Sequence, residues 1–399
     1  MGTPKSTSPQ RSAHATAKEA TRYLPVGPCH LSAALGAKRA WRLLFEHQVE
    51  FLGSEGKTVR SSSPKLERLF PRLTRAVRAS IGTARFVLRR RREAASTLML
   101  PVEGDIALVR RSGAVKVLDH ARDRVFTVMT SPAHADKLRR RQLEAERVAA
   151  FPFAPRVLAA DVDAGWFAEE FVRGRHPGLA SGCTHAFDEA YLPLLVAFAR
   201  AEPVVQVPFD RYVEELVADV FAPDGLLRRL APEARARTEA VVAALRERLA
   251  AAPDAARTLP LTFSHGDFFS GNVVLPADGP PRAIDWAHVG RRSPLHDLYY
   301  VLMNHCVKVL PPIARHARIL EATGALRARL AAEDPERLAE MAGALEARDD
   351  LRWLFYLECI QVPLVRCEDP DDRYVRAMVQ RLEWFDAYER ATSRTGLLP

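Results

Sequence analysis

From about residue 97 the apolar side chains recur at every second position, and from about residue 186 they return to every third or fourth, a change of period that restricts the chain to a small sheet followed by a large set of helices. Ile106-Ala107-Leu108-Val109, Val115-Lys116-Val117-Leu118 and Val125-Phe126-Thr127-Val128-Met129 are short β-rich runs, separated by Ser112-Gly113 and by residues 119–124. Three successive antiparallel strands are expected. A charged helix over 133–150, introduced by Ser131-Pro132, and two further strands at 156–160 and 166–172 complete this part, which Gly174 closes. Helices are then expected over 186–201 (with a kink or division at Pro193), 209–220 and 232–251, and again at 294–309, 312–330 and 334–347. A short β interruption at 261–286 separates the two helical groups. No internal repeat is visible.

At 399 residues the chain exceeds ordinary single-domain size. Its hydrophobic fraction of 48% and charged fraction of 27% are those of a water-soluble protein, and no apolar run approaches the roughly 20 residues of a membrane span. The polar start, residues 1–23, lacks the apolar core of a secretory signal, which points to the cytoplasm. Cys29, Cys183, Cys306, Cys359 and Cys367 are scattered and form no C-x-x-C pair, so they are expected to be reduced thiols serving mainly in packing.

The net charge of +9 is unevenly placed: residues 1–97 hold 19 Lys and Arg against 6 Asp and Glu, while the remainder is slightly acidic. Any attraction to polyanions therefore belongs to the N-terminal arm. Within it, residues 32–51 read as a helix, Ser61-Ser62-Ser63-Pro64 as a linker, and 65–92 as a basic amphipathic segment with Leu69, Leu73, Val77 and Ile81 at helical spacing. That segment could make weak contact with an anionic membrane surface, although a charge run is more often a solvated face. Nucleic-acid recognition is not expected, because only Phe86 interrupts the arginines between 72 and 92.

Chemistry concentrates in residues 262–275, Thr-Phe-Ser-His-Gly-Asp-Phe-Phe-Ser-Gly-Asn-Val-Val-Leu. Asp267 and Asn272 stand five residues apart on a Gly-containing loop, the spacing of a kinase catalytic loop in which the carboxylate accepts a hydroxyl proton and the amide oxygen binds magnesium. Residues 276–281 turn the chain, and Arg282-Ala283-Ile284 returns it to Asp285. If Val273 pairs with Ile284 and Leu275 with Arg282, Asn272 falls opposite Asp285 and the two hard oxygen donors stand roughly 5 Å apart. A slip of one residue would turn one of them to the other face. The chain has only two asparagines, Asn272 and Asn304, and one of them occupies the position where a metal donor is needed.

His265-Gly266-Asp267, Asn272 and Ile284-Asp285-Trp286 resemble the aminoglycoside phosphotransferase and choline kinase family. The resemblance is strong over 261–300, holds in outline from 98 to 384 and is absent from 1–97. It implies an α+β, two-lobed protein-kinase-like fold: a basic, partly helical or disordered extension (1–97), a small antiparallel-sheet nucleotide-binding lobe (98–174), and a large helical catalytic and acceptor-binding lobe (175–395). It further implies ATP or another nucleoside triphosphate and Mg2+ as cofactors and a small hydroxylated acceptor such as a sugar, amino alcohol or aminoglycoside-like compound. Carried over by position, Asp267 is the catalytic base, Asn272 and Asp285 the magnesium ligands, residues 170–172 with Glu170 and Val172 the hinge beside adenine, and Asp297 the brace of the catalytic loop.

The sequence departs from that pattern where the small lobe should hold the nucleotide. Its third expected strand carries Thr127 in place of a phosphate-binding lysine, and the covering turn at 110–113 has a single glycine. Lys116, one strand earlier, is the substitute candidate, with Glu144 or Glu146 as its acidic partner; Lys137 reads as solvated. His288, shortly after Asp285, could face the substrate cleft, although a turn histidine is commoner; His296 and His305 read as packing or surface residues. A nucleotide-binding pseudokinase or scaffold, or a protein acting through its basic arm at a membrane, remain open alternatives on sequence alone.

Overall fold

The computed structural model describes residues 20–26, 29–46, 71–91, 97–109, 114–131, 134–178, 186–252, 258–341, 343–346, 348–367, 369–370, 373–393 and 396–397. The chain divides into two compact units, one formed by Met1–His134 with Asp161–Trp166 and the other by Ala135–Ala160 with Phe167–Pro399.

The first unit contains β1 (Thr21–Val26), β2 (Cys29–Ser32), α1 (Ala37–Glu46), α2 (Pro71–Arg91), β3 (Leu98–Leu100), β4 (Ile106–Val109), β5 (Ala114–Asp119) and β6 (Arg124–Met129). The strands lie in the order β3-β1-β2-β4-β5-β6, all antiparallel. The three expected strands are present as β4, β5 and β6. Two more, β1 and β2, arise from the stretch read as an extension. Pro25 and Pro28 make that stretch look like a loop. Pro25, however, pairs only with His30, beyond the Thr21–Tyr23 segment that meets β3, so its missing N–H removes no bond on that side. Tyr23, Leu24, Leu31, Ile106, Val115 and Val117 are fully buried, and the Tyr23 hydroxyl donates to the Val102 carbonyl at 3.0 Å.

The helix α2 leaves exposed part of the apolar stripe seen in the sequence. Ala79 and Phe86 are buried, whereas Val77 and Ile81 are about half exposed, at 50% and 49%, and Leu88 is exposed at 57%. The basic helix therefore keeps an apolar stripe outward and turns Ala79 and Phe86 inward. Leu69 lies outside the described residues.

The second unit begins with α3 (Ala135–Val148) and the strands β7 (Val157–Asp161) and β8 (Trp166–Glu170). The expected division of the next helix is present: α4 (Ala186–Ala190) and α5 (Leu192–Ala201) flank Tyr191, and Pro193 sits in the first turn of α5, where its missing N–H is harmless. Then come β9 (Val205–Pro208), which the sequence pattern does not reveal, α6 (Phe209–Val220) and α7 (Pro232–Ala250). The strands β10 (Thr258–Ser264), β11 (Val273–Val274), β12 (Arg282–Ala283) and β13 (Gly290–Arg292) form the β interruption. Finally come α8 (His296–Tyr299), continued by a π-helical turn over Tyr300–His305, then α9 (Pro312–Glu333), α10 (Pro335–Glu340), α11 (Asp349–Arg366) and α12 (Arg373–Thr392).

Helix α11 buries 13 of its 18 residues, as a helix surrounded by others must. Aromatic rings from distant segments fill the core below the loop that follows β10: Phe153, Phe198, Phe263 and Trp286 meet at centroid distances between 5.2 and 6.2 Å. Such rings bury large areas and pack edge to face, which fixes the strand β10 that leads into the loop. Cys306 is disulfide-bonded, contrary to the expectation of five reduced thiols, since sequence spacing does not report which sulfurs meet in space. Cys29 and Cys359 are buried thiols. No helix among the described residues is long and apolar enough to cross a membrane.

Candidate active site

Strand β10 lies between β9 and β13, and its last pair, Ser264 with Gly290, hands the chain to His265. Gly266 adopts φ +79°, a conformation that favours glycine, and a Cβ here would stand 2.3 Å from the His288 carbonyl oxygen. The turn is braced by Asp297, which accepts from His265 N at 2.8 Å and from Gly266 N at 3.0 Å. That is the bracing role the resemblance implies. His265 is fully buried; its Nδ1 accepts from Asp267 N at 3.3 Å, which makes Nε2 the protonated nitrogen donating to the Ile284 carbonyl at 3.0 Å.

Asp267 is 4% exposed and its carboxylate has three donors. Tyr300 Oη donates to Oδ1 at 2.6 Å; Tyr374 Oη and Asn272 Nδ2 each donate to Oδ2 at 3.3 Å. Burial, with the neighbouring carboxylate adding to it, holds the Tyr300 phenol well above its usual range, so it remains a donor. Arg381 donates to Tyr300 Oη at 2.8 Å and lies over the same ring, with Cζ 4.9 Å from the centroid.

Asn272 Nδ2 also donates to the Asp267 carbonyl at 2.8 Å. With the amide nitrogen engaged twice by Asp267, the amide oxygen is the atom left to face elsewhere. The hairpin register differs from the expectation by one residue: Val273 pairs with Ala283 and Val274 with Arg282, and Ile284 N bonds to Asn272 O. Asn272 therefore stands opposite Ile284, not Asp285. Val273 and Val274 are both buried, so alternation along this strand carries no register information. Asp285 leaves the strand at φ +63°, a left-handed conformation that Asp tolerates better than most residues.

Asn272 and Asp285 would offer one amide oxygen and one carboxylate, both hard donors of the kind magnesium takes. Among the described residues no group of three or more His, Cys, Asp and Glu could hold a metal.

Glu170 is engaged otherwise than expected. Arg282 NH1 donates to its Oε1 at 2.8 Å and NH2 to Oε2 at 3.1 Å, while Arg156 lies 3.4 Å away. The Arg282 hydrogen bonds are the main cause that pulls the Glu170 carboxyl down to about 2. Its carboxylate thus ties β8 to β12, and only its backbone is left for a ligand. Val172 is half-buried in the irregular segment after β8. The ion pair's stabilisation is complete above the unfolded carboxyl value of 4.5 and is lost as pH falls from there toward 2. Glu170→Gln is accordingly expected to lower the urea midpoint at pH 7 and to flatten the acid slope between pH 4.5 and 2, as read by denaturation at stepped pH.

Lys116 belongs to the first unit, paired with Leu108 and Thr127 on β5, whereas Asp267, Glu170, Val172, Asn272 and Asp285 belong to the second. Thr127 is fully buried. Glu144, one candidate partner for a cation, bonds to Arg366 of α11, and Glu146 accepts from Gln142 at 2.7 Å.

A small cavity of about 10 Å3, room for about one water, lies beside the carboxylate, lined by Asp267, His288, His296, Tyr300, Tyr374 and Arg381 with side chains of α11. Sequence pattern alone does not single out Tyr300, Tyr374 or Arg381; His288 lines the cavity, one of the two places open to it, and so does His296, read as a packing or surface residue. Tyr300 alone left a signal, since it lies one helical turn after His296 and faces the same way. His296 is 1% exposed and bonds through Nδ1 to Glu358 at 2.9 Å, and Glu358 also accepts from Ser293 N, Ser293 Oγ and Tyr212 Oη.

The sequence matches the family model described as phosphotransferase enzyme family over residues 73–341, more than half of the chain. The chain belongs to that family. This phosphotransferase is an enzyme that transfers phosphate to hydroxyl groups, with the α+β, protein-kinase-like fold of its family. Among solved structures it is similar to the choline kinase LicA from Streptococcus pneumoniae, at 15% identity over 70% of this chain and 88% of that one, with a TM-score of 0.42. A Plasmodium vivax ethanolamine kinase is 12% identical over 85% and 93%, with a TM-score of 0.42. A macrolide 2'-phosphotransferase type I is 15% identical over 76% and 97%, with a TM-score of 0.43. At such values the likeness carries no residue role. Among curated proteins none matches the sequence.

Proposed function

We propose that this phosphotransferase moves the γ-phosphoryl group of ATP to a hydroxyl of a small molecule, with Asp267 as the general base. The observation that carries this reading is the buried Asp267 carboxylate, held on a loop braced by Asp297 and facing a cavity. A base must lie within hydrogen-bond reach of the proton it takes, and Tyr300 Oη and Tyr374 Oη already occupy that range as hydroxyls would. Asn272 and Asp285 would hold Mg2+, which when bound neutralises charge on the β- and γ-phosphates. Asn272 Nδ2 meanwhile fixes the Asp267 carboxylate in its rotamer. Lys116 and the backbone at Glu170 and Val172 are assigned to the nucleotide.

The test is Mg2+-dependent ATP consumption and phosphoryl transfer by the full chain. Asp285→Asn is expected to raise the Mg2+ concentration for half-maximal rate by about tenfold or more, because a charged oxygen donor becomes a neutral one. Nucleotide binding without transfer to any acceptor would replace this reading by that of a pseudokinase, which the buried Thr127 at the expected lysine position favours.

A contact of the basic segment with anionic membrane surfaces is supported by the outward Val77, Ile81 and Leu88 on a helix without acidic residues. Co-sedimentation with phosphatidylserine vesicles is expected, weakening as salt rises. Retention of binding in a Val77→Ser, Ile81→Ser, Leu88→Ser variant would refute the apolar contribution.

A further inference from the structure

Asn272 stands at the head of a hairpin too short to hold its own place. The strands β11 and β12 form a two-stranded sheet joined at two residue pairs, Val273 with Ala283 and Val274 with Arg282. An isolated hairpin of ordinary length is already marginal in water, so the position of this one is set by what grips its outer edges. Successive antiparallel pairs alternate between bonded and non-bonded. Ile284 N donates to Asn272 O, which turns the backbone groups of Val273 and Leu275 away from β12 and those of Ala283 away from β11. On the β12 side, Ala283 N donates to the Phe153 carbonyl at 2.8 Å.

The outer edge of β11 is taken by the segment that follows β8. Arg175 exchanges two backbone hydrogen bonds with Leu275, at 3.0 and 2.8 Å. Gly174 permits that approach, because a Cβ there would stand 2.5 Å from the Leu275 carbonyl oxygen. His176 then reaches the same edge with its ring, Nδ1 lying 2.8 Å from the Val273 carbonyl oxygen. A carbonyl can only accept, so Nδ1 carries the proton. Pro177, next in the chain, biases His176 toward the extended backbone that such an edge requires. Val273 directly follows Asn272, so this bond stands one peptide away from the residue assigned to the metal. The same segment starts at Glu170, whose carboxylate holds Arg282 of β12. It therefore clasps both strands of the hairpin, and its backbone at Glu170 and Val172 is the part assigned to the nucleotide.

We infer that His176 is a positioning residue for phosphoryl transfer: its Nδ1–H fixes the start of β11 and thereby the direction in which the Asn272 amide oxygen faces. The inference rests on the reading of Asn272 as a magnesium ligand. Asp267 restrains the Asn272 side chain through two bonds to Nδ2, and His176 restrains the backbone that carries it. Without the imidazole the Val273 carbonyl turns to water for its partner. Stability changes little, since His176 is exposed and water replaces the bond. The loss falls on the state that needs the amide oxygen in one place, the complex with metal and nucleotide together.

Calorimetric titration of the full chain with ADP, once with Mg2+ and once with EDTA, separates the contributions. In the wild type Mg2+ is expected to tighten ADP binding, and Asn272→Ala to remove most of that gain. His176→Ala is expected to weaken binding of ADP with Mg2+ about fivefold, the usual worth of one hydrogen bond, while metal-free ADP binding changes less than about twofold. His176→Asn is expected to keep the wild-type values, because its amide N–H stands about where Nδ1–H does; His176→Gln, whose amide corresponds to Nε2, is expected to behave as the alanine variant. An equal weakening with and without Mg2+ would show a merely structural role and overturn the inference. So would unchanged binding in a folded His176→Ala, or an asparagine variant no better than the glutamine one, the comparison that decides if the alanine variant does not fold. A wild type whose ADP affinity ignores Mg2+, or a gain that survives Asn272→Ala, would instead remove the metal assignment beneath it.

Discussion

Asp267→Asn is expected to lower kcat by about a thousandfold while leaving the nucleotide dissociation constant within a factor of a few. The amide has the shape of the carboxylate and can still accept from Tyr300 Oη, so the packing around it survives. What it cannot do is take a proton. Replacing a charged acceptor by a neutral one weakens the hydrogen bond now 2.6 Å long. A melting temperature lower by about 2–4 °C is expected from a loss near 1 kcal/mol. Steady-state transfer assays with circular dichroism melts would check both numbers, and a variant retaining more than about a tenth of the wild-type rate would show that Asp267 is not the base.

Gly266→Ala should be nearly as damaging through the backbone alone. The added methyl meets the His288 carbonyl oxygen at 2.3 Å and the Arg292 guanidinium at 2.8 Å, and φ is +79°. A flexible guanidinium can yield, but a carbonyl within the strand-to-loop connection cannot without displacing Asp267. The left-handed conformation by itself costs an alanine about 1–2 kcal/mol. Misplacing a base by an ångström costs about a hundredfold in rate, and at least that loss of kcat is expected. Gly279 separates the two terms, because it has φ +113° but no atom lies within 4 Å of where its Cβ would stand. Gly279→Ala should therefore bear the conformational cost and keep its activity; equal activity losses in the two variants would refute the steric account.

The geometry of the candidate loop was legible because its determinants are local. Asp267, Asn272 and Asp297, which hydrogen bonds join, fall within about thirty residues, and the loop that orders them depends on one glycine and one strand, both visible in the sequence. The order of strands and helices followed from apolar periodicity for the same reason. What escaped depends on contacts between distant segments. Tyr374 reaches Asp267 across 107 positions and Arg381 reaches Tyr300 across 81. Nothing in the local pattern of α12 distinguishes those two side chains from others on an amphipathic helix. The hairpin register failed where alternation itself is lost, at two adjacent buried valines. The engagement of Glu170 by Arg282 was invisible because the partners lie 112 residues apart.

The three donors on Asp267 change what acceptor binding has to accomplish. A carboxylate dissolved in water must shed its hydration before it can serve a substrate, and that expense would fall on every encounter. Here the hydration was exchanged for phenol and amide hydrogens when the chain folded, so an arriving hydroxyl trades places with a donor already present. Of the two longer contacts, both 3.3 Å, Tyr374 is the one to trade, because Asn272 is held a second time by the Asp267 carbonyl, while Tyr300 at 2.6 Å, backed by Arg381, stays to hold the geometry. If Asp267 is the base proposed above, substrate entry becomes a substitution between similar hydrogen bonds, with a small net energy, at a carboxylate whose orientation is settled beforehand.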